Sequence, residues 1–103
     1  MNEMKPEISI CIPTFNRSQH LNYLLQHLFE QKDIVDFEYK ILISNNASSD
    51  NTNAIVEKWS SKLPIKYFEQ EKNIGGGANI TFLFKQAVSE YCIYLADDDC
   101  IDL

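Results

Sequence analysis

The sequence predicts an α/β fold, a parallel sheet of about four strands with helices on both faces. Short apolar runs alternate along the chain with longer stretches in which apolar residues recur at helical spacing, and the connections between them are short. Alternation of this kind specifies parallel strands joined by right-handed crossovers. The chain has 103 residues, of which 45% are hydrophobic and 23% charged, so we treat residues 1–103 as a single folded domain.

The first half of the chain supplies two strands and two helices. Residues 8–12 are apolar and β-branched and are stopped by Pro13, which predicts a buried strand. A helix over about 18–32 follows, with Ser18 as its expected N-cap. Its apolar stripe has the spacing i, i+3, i+4, i+7 and i+8 (Leu21, Leu24, Leu25, Leu28 and Phe29). Residues 39–44 form the second strand, and a second helical stripe runs over 52–59.

The second half repeats the alternation. Residues 65–69 alternate polar and apolar, which predicts an edge strand with one wet face. A third helical stripe follows the glycines (Ile80, Leu83, Phe84, Ala87 and Val88). Residues 91–96 are apolar throughout, so we expect a central strand buried on both faces. The resulting order is a Rossmann-like βαβαβαβ arrangement.

Composition excludes several classes of protein. The net charge of −6 argues against a nucleic-acid partner, since such partners are held by neutralising phosphates. No apolar run reaches the ~20 residues of a membrane helix, and residues 1–7 have no apolar signal-peptide core. The three cysteines, Cys11, Cys92 and Cys100, are widely spaced without a C-x-x-C, which favours reduced thiols in a cytoplasmic protein.

The loops that follow the strands form the candidate functional region. In a parallel sheet these loops share one edge, where open α/β sheets bind ligands. They are far richer in Asn, Gly, Asp and Ser than the helices, and they cover residues 13–17, 45–48, 70–77 and 97–99. This asymmetry predicts a site at that edge.

Three carboxylates, Asp97, Asp98 and Asp99, leave the fourth strand together. They repel one another, and a divalent cation bound through oxygen ligands relieves the repulsion. A solvated turn or a helix N-cap cluster is the alternative. The position at the end of the predicted central strand favours the metal.

The other three loops each allow two interpretations. Asn45, Asn46 and Ser48 offer amide and hydroxyl groups for a base or ribose, or an Asx-turn with Ser48, Ser49 or Asp50 as the cap of the second helix. Phe15 could stack on a base and Arg17 could pair with a phosphate, or they could cover the core and face solvent. The glycines 75–77 resemble a phosphate cradle or a flexible turn, and Asn73 and Asn79 beside them could contact a ligand or cap the helix.

Taken together, four segments resemble the family 2 glycosyltransferases of GT-A fold, in the right order along nearly the whole chain. They are 8–17, 44–50, 73–79 and the strand 91–99 with its D-x-D-type ending. The resemblance is greatest to the branch of bacterial surface-polysaccharide synthesis that includes abequosyltransferase-like enzymes. It implies a truncated GT-A fold that binds a nucleoside-diphosphate sugar and supplies it to a polysaccharide or lipid-linked glycan acceptor.

The resemblance also implies a set of site residues. The nucleotide sugar would lie among Pro13, Thr14, Phe15, Asn16, Arg17, Asn45, Asn46, Ser48, Asn73, Gly75, Asn79 and Asp97. Mn²⁺ or Mg²⁺ would be held by Asp97, Asp98 and Asp99, and would neutralise the departing diphosphate. With Ala96 in the first acidic place, Asp98 is the first candidate; in the other register Asp97 and Asp99 form the D-x-D pair.

The sequence departs from the family pattern in two respects. Asn45 and Asn46 stand where the family usually has an Asp that accepts the base N–H, which removes charge assistance from that contact. The chain also stops at Leu103, before the acceptor-binding half that would supply the catalytic base. We therefore expect an N-terminal part without turnover of its own, working in the cytoplasm or at the inner face of the membrane.

The apolar edge at 91–96 lacks a neighbour, so we expect self-association through it. The competing functions are a non-catalytic nucleotide-binding or interaction domain, and a GT-A-like nucleotidyltransferase. The second would have a Gly-rich, basic loop after the first strand, where this chain has residues 14–17.

Overall fold

The computed structural model describes residues 7–89 and 91–97, and it contains every predicted strand and helix. The elements in chain order are β1 (Glu7–Thr14), α1 (Ser18–Glu30), β2 (Glu38–Asn45), α2 (Thr52–Ser60), β3 (Ile65–Glu69), α3 (Gly76–Gln86) and β4 (Tyr91–Tyr94). The predicted α/β class, with parallel strands and helices on both faces, is confirmed.

The four strands form one parallel sheet in the order β3-β2-β1-β4. The register aligns the ends of the strands: Thr14 pairs with Asn45, and Asn45 pairs with Glu69. From β1 the chain continues to β2 and then β3 on one side of the sheet, and β4 pairs with β1 on the other side. Strand order therefore reverses between β1 and β4. Such a reversal opens a crevice beyond the carboxyl ends of the two strands.

The two faces of the sheet are covered unequally. Side chains from β1 and β2 pack with α1 and α2 into one large apolar core, built around Ile10, Ile12, Leu21, Leu24, Leu25, Leu28, Ile41, Ile43, Val56 and Trp59. On the other face α3 contributes Leu83 to a small cluster with Cys11 and Leu42. The alternation of strand side chains accounts for this division, since Ile10 and Cys11 point to opposite faces.

The fourth strand differs from the expectation. Tyr91 and Tyr94 are 52% and 54% exposed, so burial on both faces is wrong for β4. Within the described residues β4 pairs only with β1 and lies at the edge of the sheet, and α3 contacts β1 and β2 instead of covering it. The predicted edge position of β3 is confirmed.

Ser18 does not cap α1, contrary to the expectation. Ser18 is the first helical residue, it is buried, and Arg17 occupies the N-cap position without a side-chain cap bond. The amide of Ser18 donates instead to the Asp50 carboxylate from the neighbouring loop. None of the helices in the described part of the chain has the length and apolar character needed to cross a membrane.

Candidate functional site

A cleft of about 750 Å³ opens at the point where strand order reverses. Its walls are the ends of β1 and β4, the loop after each strand, and the first turns of α3. The lining residues are Pro13, Thr14, Phe15, Arg17, Asn46, Gly76, Gly77, Asn79, Ile80, Phe84, Tyr94, Ala96 and Asp97. The loops that follow β1, β2 and β4 therefore contribute to one cavity.

Thr14 and Asp97 join the two strand ends inside the cleft. The Thr14 hydroxyl donates to Asp97 Oδ2 at 2.8 Å, and the two residues are only 3% and 6% exposed. Arg17 Nη1 lies 3.9 Å from Asp97 Oδ1, with the Arg17 side chain half exposed. A carboxylate buried this deeply is stabilised by such partners, because burial without them disfavours the charged form.

Asp98 and Asp99, the other two predicted metal ligands, lie outside the described residues. Among the residues that are described, no three potential His, Cys, Asp or Glu ligands cluster together. Asp97 has the hard oxygen donors that Mg²⁺ and Mn²⁺ prefer, but both of its oxygens face protein groups, Thr14 and Arg17. The described residues thus contribute one carboxylate, Asp97, with the oxygen donors that a divalent cation would need.

An amide pair holds the loop before α3 against the end of β2. Asn46 Nδ2 donates to Asn73 Oδ1 at 3.1 Å, and Asn46 Oδ1 accepts from the Ile74 amide at 2.8 Å. Asn73 Oδ1 also accepts from the Gly75 amide at 2.8 Å, which closes an Asx-turn. Gly75 has φ +89°, a conformation that glycine adopts without a steric penalty. The pair brings Gly76 and Gly77 to the wall of the cleft.

Asn79 fixes α3 to the sheet and does not cap the helix. Its side chain is 1% exposed, with Nδ2 donating to the Ser44 carbonyl at 2.9 Å and Oδ1 accepting from the Ser44 hydroxyl at 2.6 Å. Gln70 Nε2 also donates to the Ser44 hydroxyl, at 3.1 Å. A buried pair with every polar group satisfied sets the position of one helix on one strand.

Asn45 lies on the opposite face of the sheet and does not line the cleft. Its Oδ1 accepts from the Ser48 amide, three residues on, at 2.9 Å. The Asx-turn predicted before the second helix is formed by Asp50, whose Oδ1 accepts from the Thr52 amide. Asn45 Nδ2 donates to the Tyr67 hydroxyl at 2.9 Å, and that hydroxyl donates in turn to Asn53 Oδ1. Burial raises the pKa of Tyr67, so the hydroxyl remains a donor over the ordinary pH range.

The predicted site residues thus divide into two groups. Pro13, Thr14, Phe15, Arg17, Asn46, Asn79 and Asp97 line the cleft. Asn16, Asn45, Ser48, Asn73 and Gly75 stand behind it and hold the loops by hydrogen bonds or by backbone conformation. The structure adds apolar lining residues that the sequence reasoning missed: Ile80, Phe84 and Tyr94. Phe84 belonged to a predicted core stripe, and its exposure of 44% becomes visible only once α3 is placed.

Comparison with known proteins gives matches over almost the whole chain. The family model described as Glycosyl transferase family 2 matches residues 9–102. The chain is 33% identical over 96 residues to the abequosyltransferase RfbV of Salmonella typhimurium, covering 91% of this chain and 28% of that protein. It therefore spans less than a third of the length of this relative.

Solved structures match as well. The S. aureus protein TarS, residues 1–349 in complex with UDP-GlcNAc, superposes with a TM-score of 0.83 at 32% identity, covering 93% of this chain and 28% of that one. A mannosyltransferase from Pyrobaculum calidifontis, in complex with GDP-Man and Mn²⁺, gives a TM-score of 0.79 at 20% identity over 91% of this chain and 28% of its own. At that identity the second match supports the fold.

Proposed function

This chain belongs to glycosyl transferase family 2, and we propose that it is the part of such an enzyme that binds the nucleoside-diphosphate sugar, in the cleft between β1 and β4. One observation carries the proposal. A buried carboxylate in the loop after β4, that of Asp97, bonds to the last residue of β1, Thr14, inside a cleft at the strand-order reversal. Ligands of open α/β folds bind at such reversals.

The walls of the cleft supply the groups that a nucleotide sugar needs. Phe15 and Tyr94 offer exposed aromatic faces on which a base can stack. Arg17 offers a guanidinium for a phosphate. Gly76 and Gly77 place the first amides of α3, the positive end of its dipole, on the same wall. The UDP-GlcNAc complex of TarS, superposable on this chain, supports this use of the cleft.

A divalent cation is the second part of the proposal. Asp98 and Asp99 would be its main ligands beside Asp97, with Mn²⁺ or Mg²⁺ bound, and the Mn²⁺ complex of the mannosyltransferase supports that choice. When bound, the cation would neutralise charge on the departing nucleoside diphosphate. The protein's own contribution is to hold Asp97 by Thr14 and Arg17 at the mouth of the strand pair.

We extend the proposal to the whole enzyme by the same family membership. The acceptor is a glycan or lipid-linked glycan, as expected for surface-polysaccharide synthesis, and its binding half and catalytic base lie outside these 103 residues. The place of action is the cytoplasm or the inner face of the membrane. The named activity of RfbV, abequosyl transfer, supports the class of reaction.

Calorimetric titration with UDP, with and without Mn²⁺, tests the proposal. We expect binding that depends on the metal and that weakens at least about tenfold in Asp98→Ala, because removing a charged ligand costs more than ~1.4 kcal/mol. Asp33 has an 85% exposed side chain and does not line the cleft. Asp33→Ala is therefore the matched control, and it should bind UDP as the wild type does. Binding that ignores the metal would favour a non-catalytic nucleotide-binding domain instead.

We also propose that the exposed edge of β4 pairs with a second copy of the chain. Tyr91 and Tyr94 are half exposed there, and the strand itself carries no charge or proline that would prevent pairing. Sedimentation should show a dimer whose fraction rises with concentration and falls in Cys92→Pro, since proline removes an edge N–H. A monomer at every concentration would contradict this pairing.

A further inference from the structure

We propose that Asn16 and Asp50 are positioning residues which tie the loop after β1 to the loop after β2, and so aim Phe15 and Arg17 into the cleft. This inference rests on the proposed function, since it assigns the aim of two groups toward a nucleotide. Neither Asn16 nor Asp50 lines the cleft. Both would act through the residues they hold.

Asn16 makes the first half of the tie. Its amide donates to the Ser48 hydroxyl at 2.9 Å, and its Oδ1 accepts from the Ser49 amide at 2.8 Å and from the Ser49 hydroxyl at 3.3 Å. Its φ of 52° is in the left-handed region, which asparagine tolerates better than most residues. Ala47, in the partner loop, has φ 64°. Both loops thus hold a non-glycine residue in a conformation that needs outside support.

Asp50 makes the second half. Its Oδ2 accepts from the Ser18 amide at 3.1 Å, at the start of α1. Its Oδ1 accepts from the Thr52 amide at 3.1 Å and from the Thr52 hydroxyl at 2.5 Å, at the start of α2. One carboxylate therefore caps two helices whose own N-cap residues, Arg17 and Asn51, make no side-chain cap bond.

The order of the tied residues shows what the tie does. Asn16 and Ser18 are held by the partner loop, while Phe15 and Arg17, which alternate with them, line the cleft. The bonds to the Asn16 and Ser18 amides fix the backbone beside Phe15 and on both sides of Arg17, and so set the direction in which these two side chains leave the chain. Phe15 and Arg17 are the aromatic and the guanidinium of the proposed site, so their fixed aim lowers the ordering cost of binding.

The affinity for UDP in the presence of Mn²⁺ tests the tie in the intact 103-residue chain. Asn16→Gly removes the side-chain acceptor and still adopts positive φ, so we expect a loss of about tenfold, the worth of one to two hydrogen bonds. Asn16→Asp keeps the acceptor and should restore binding close to the wild-type value. Asn51→Ala removes an exposed amide from the same loop that makes no cap bond, and it should change nothing.

Amide hydrogen exchange in the chain without ligand separates this inference from the proposed function. If the tie acts as a unit, Asn16→Gly accelerates exchange not only at Ser49, its direct partner, but about tenfold at Ser18, whose own acceptor Asp50 is intact. Acceleration confined to Ser49, or unchanged UDP affinity in Asn16→Gly, overturns the tie. A wild-type chain that fails to bind UDP overturns the proposed function, and exchange at Ser18 then decides the tie alone.

Discussion

The two faces of the sheet differ in the side chains that they bury. Under α1 and α2 the sheet contributes a row of apolar side chains to a continuous core that includes Ile10, Leu24 and Trp59. Under α3 the buried apolar cluster is small, and a hydrogen-bonded polar pair, Ser44 and Asn79, lies beside it. The cleft opens next to the polar pair and away from the large core.

This difference indicates that one face contributes mainly stability and the other mainly a fixed geometry. Apolar packing is non-directional and supplies most of the free energy of folding. Hydrogen-bonded pairs contribute less, but they fix one geometry because their partners are specific. The face beside the cleft therefore buries less apolar surface, and its polar pair holds α3 in a defined position. The first residues of α3 form a wall of the site.

The largest expected effect is a cavity in the apolar face. Leu24 has no exposed surface and packs with α2 and the sheet, so Leu24→Ala should lower the free energy of unfolding by about 2–5 kcal/mol. Urea denaturation measures this. Val88→Ala removes an 88% exposed side chain and should fall within about 0.5 kcal/mol of the wild type. Equal losses in the two variants would contradict the assignment of the main core to that face.

The polar face should respond with a smaller loss of stability. Asn79→Ala leaves the Ser44 hydroxyl without an acceptor and the Ser44 carbonyl without the Asn79 donor, which we expect to cost about 1–3 kcal/mol. The same denaturation experiment measures it, with the exposed neighbour Thr81→Ala as control. A loss in Asn79→Ala no larger than that of Thr81→Ala would show that the pair does not position α3.

Acid should act through the carboxylate that caps both helices of the apolar face. Partial desolvation raises the pKa of Asp50, but the hydrogen bonds from Thr52 and Ser18 outweigh it and hold the pKa below its ordinary value. A depressed pKa in the folded state gives stability that is fully present above the unfolded value of about 3.9 and is lost as pH falls through the folded value.

Denaturation midpoints followed from pH 7 to below pH 3 measure that contribution. The wild type should lose stability over the acid range, and Asp50→Ala should lose less because the group that titrates is gone. Asp33→Ala, with an exposed carboxylate bonded to Lys32, should follow the wild type. Parallel curves for Asp50→Ala and the wild type would contradict the claim that the Asp50 carboxylate stabilises the starts of both helices.

The smallest effect leaves stability unchanged and compares two positions on one face. Burial and then the nearby Cys92 raise the pKa of Cys11 to about 11, whereas Cys92 is exposed on β4. Iodoacetamide at pH 8 should therefore modify Cys92 well before Cys11 in the folded chain, and both at comparable rates in urea. Mass spectrometry of the peptides measures this. Equal rates in the folded chain would mean that α3 does not cover β1.

The sequence predicted the order of elements and the shared edge of the loops because periodicity and chain order determine both. It predicted less about β4, since an apolar run of that kind signals burial, and burial depends on neighbours that the run does not contain. The Asp50 bond to Ser18 was missed for a similar reason. The two residues lie 32 positions apart, and a capping motif within one helix cannot show a cap donated from another loop.

The asparagines show the same limit. Asn45 and Asn46 are adjacent in sequence and equally polar, so composition treats them alike. Because side chains alternate across a strand, Asn45 lies with α2 and Tyr67 on one face while Asn46 reaches the loop before α3. Which of the two reaches the cleft depends on the face of the sheet to which each side chain points, and composition does not show this.

The pairing of β1 with both β2 and β4 has a consequence for how the chain folds. The contact between Thr14 and Asp97 joins two residues that lie 83 positions apart in the sequence. Contacts of high sequence separation form late, because loop-closure entropy must be offset before they are rewarded. One edge of β1 therefore has no partner strand until β4 has been synthesised and can pair with it. The cleft exists only when β4 is paired with β1, so the ability to bind a ligand there would report that this pair of strands has formed.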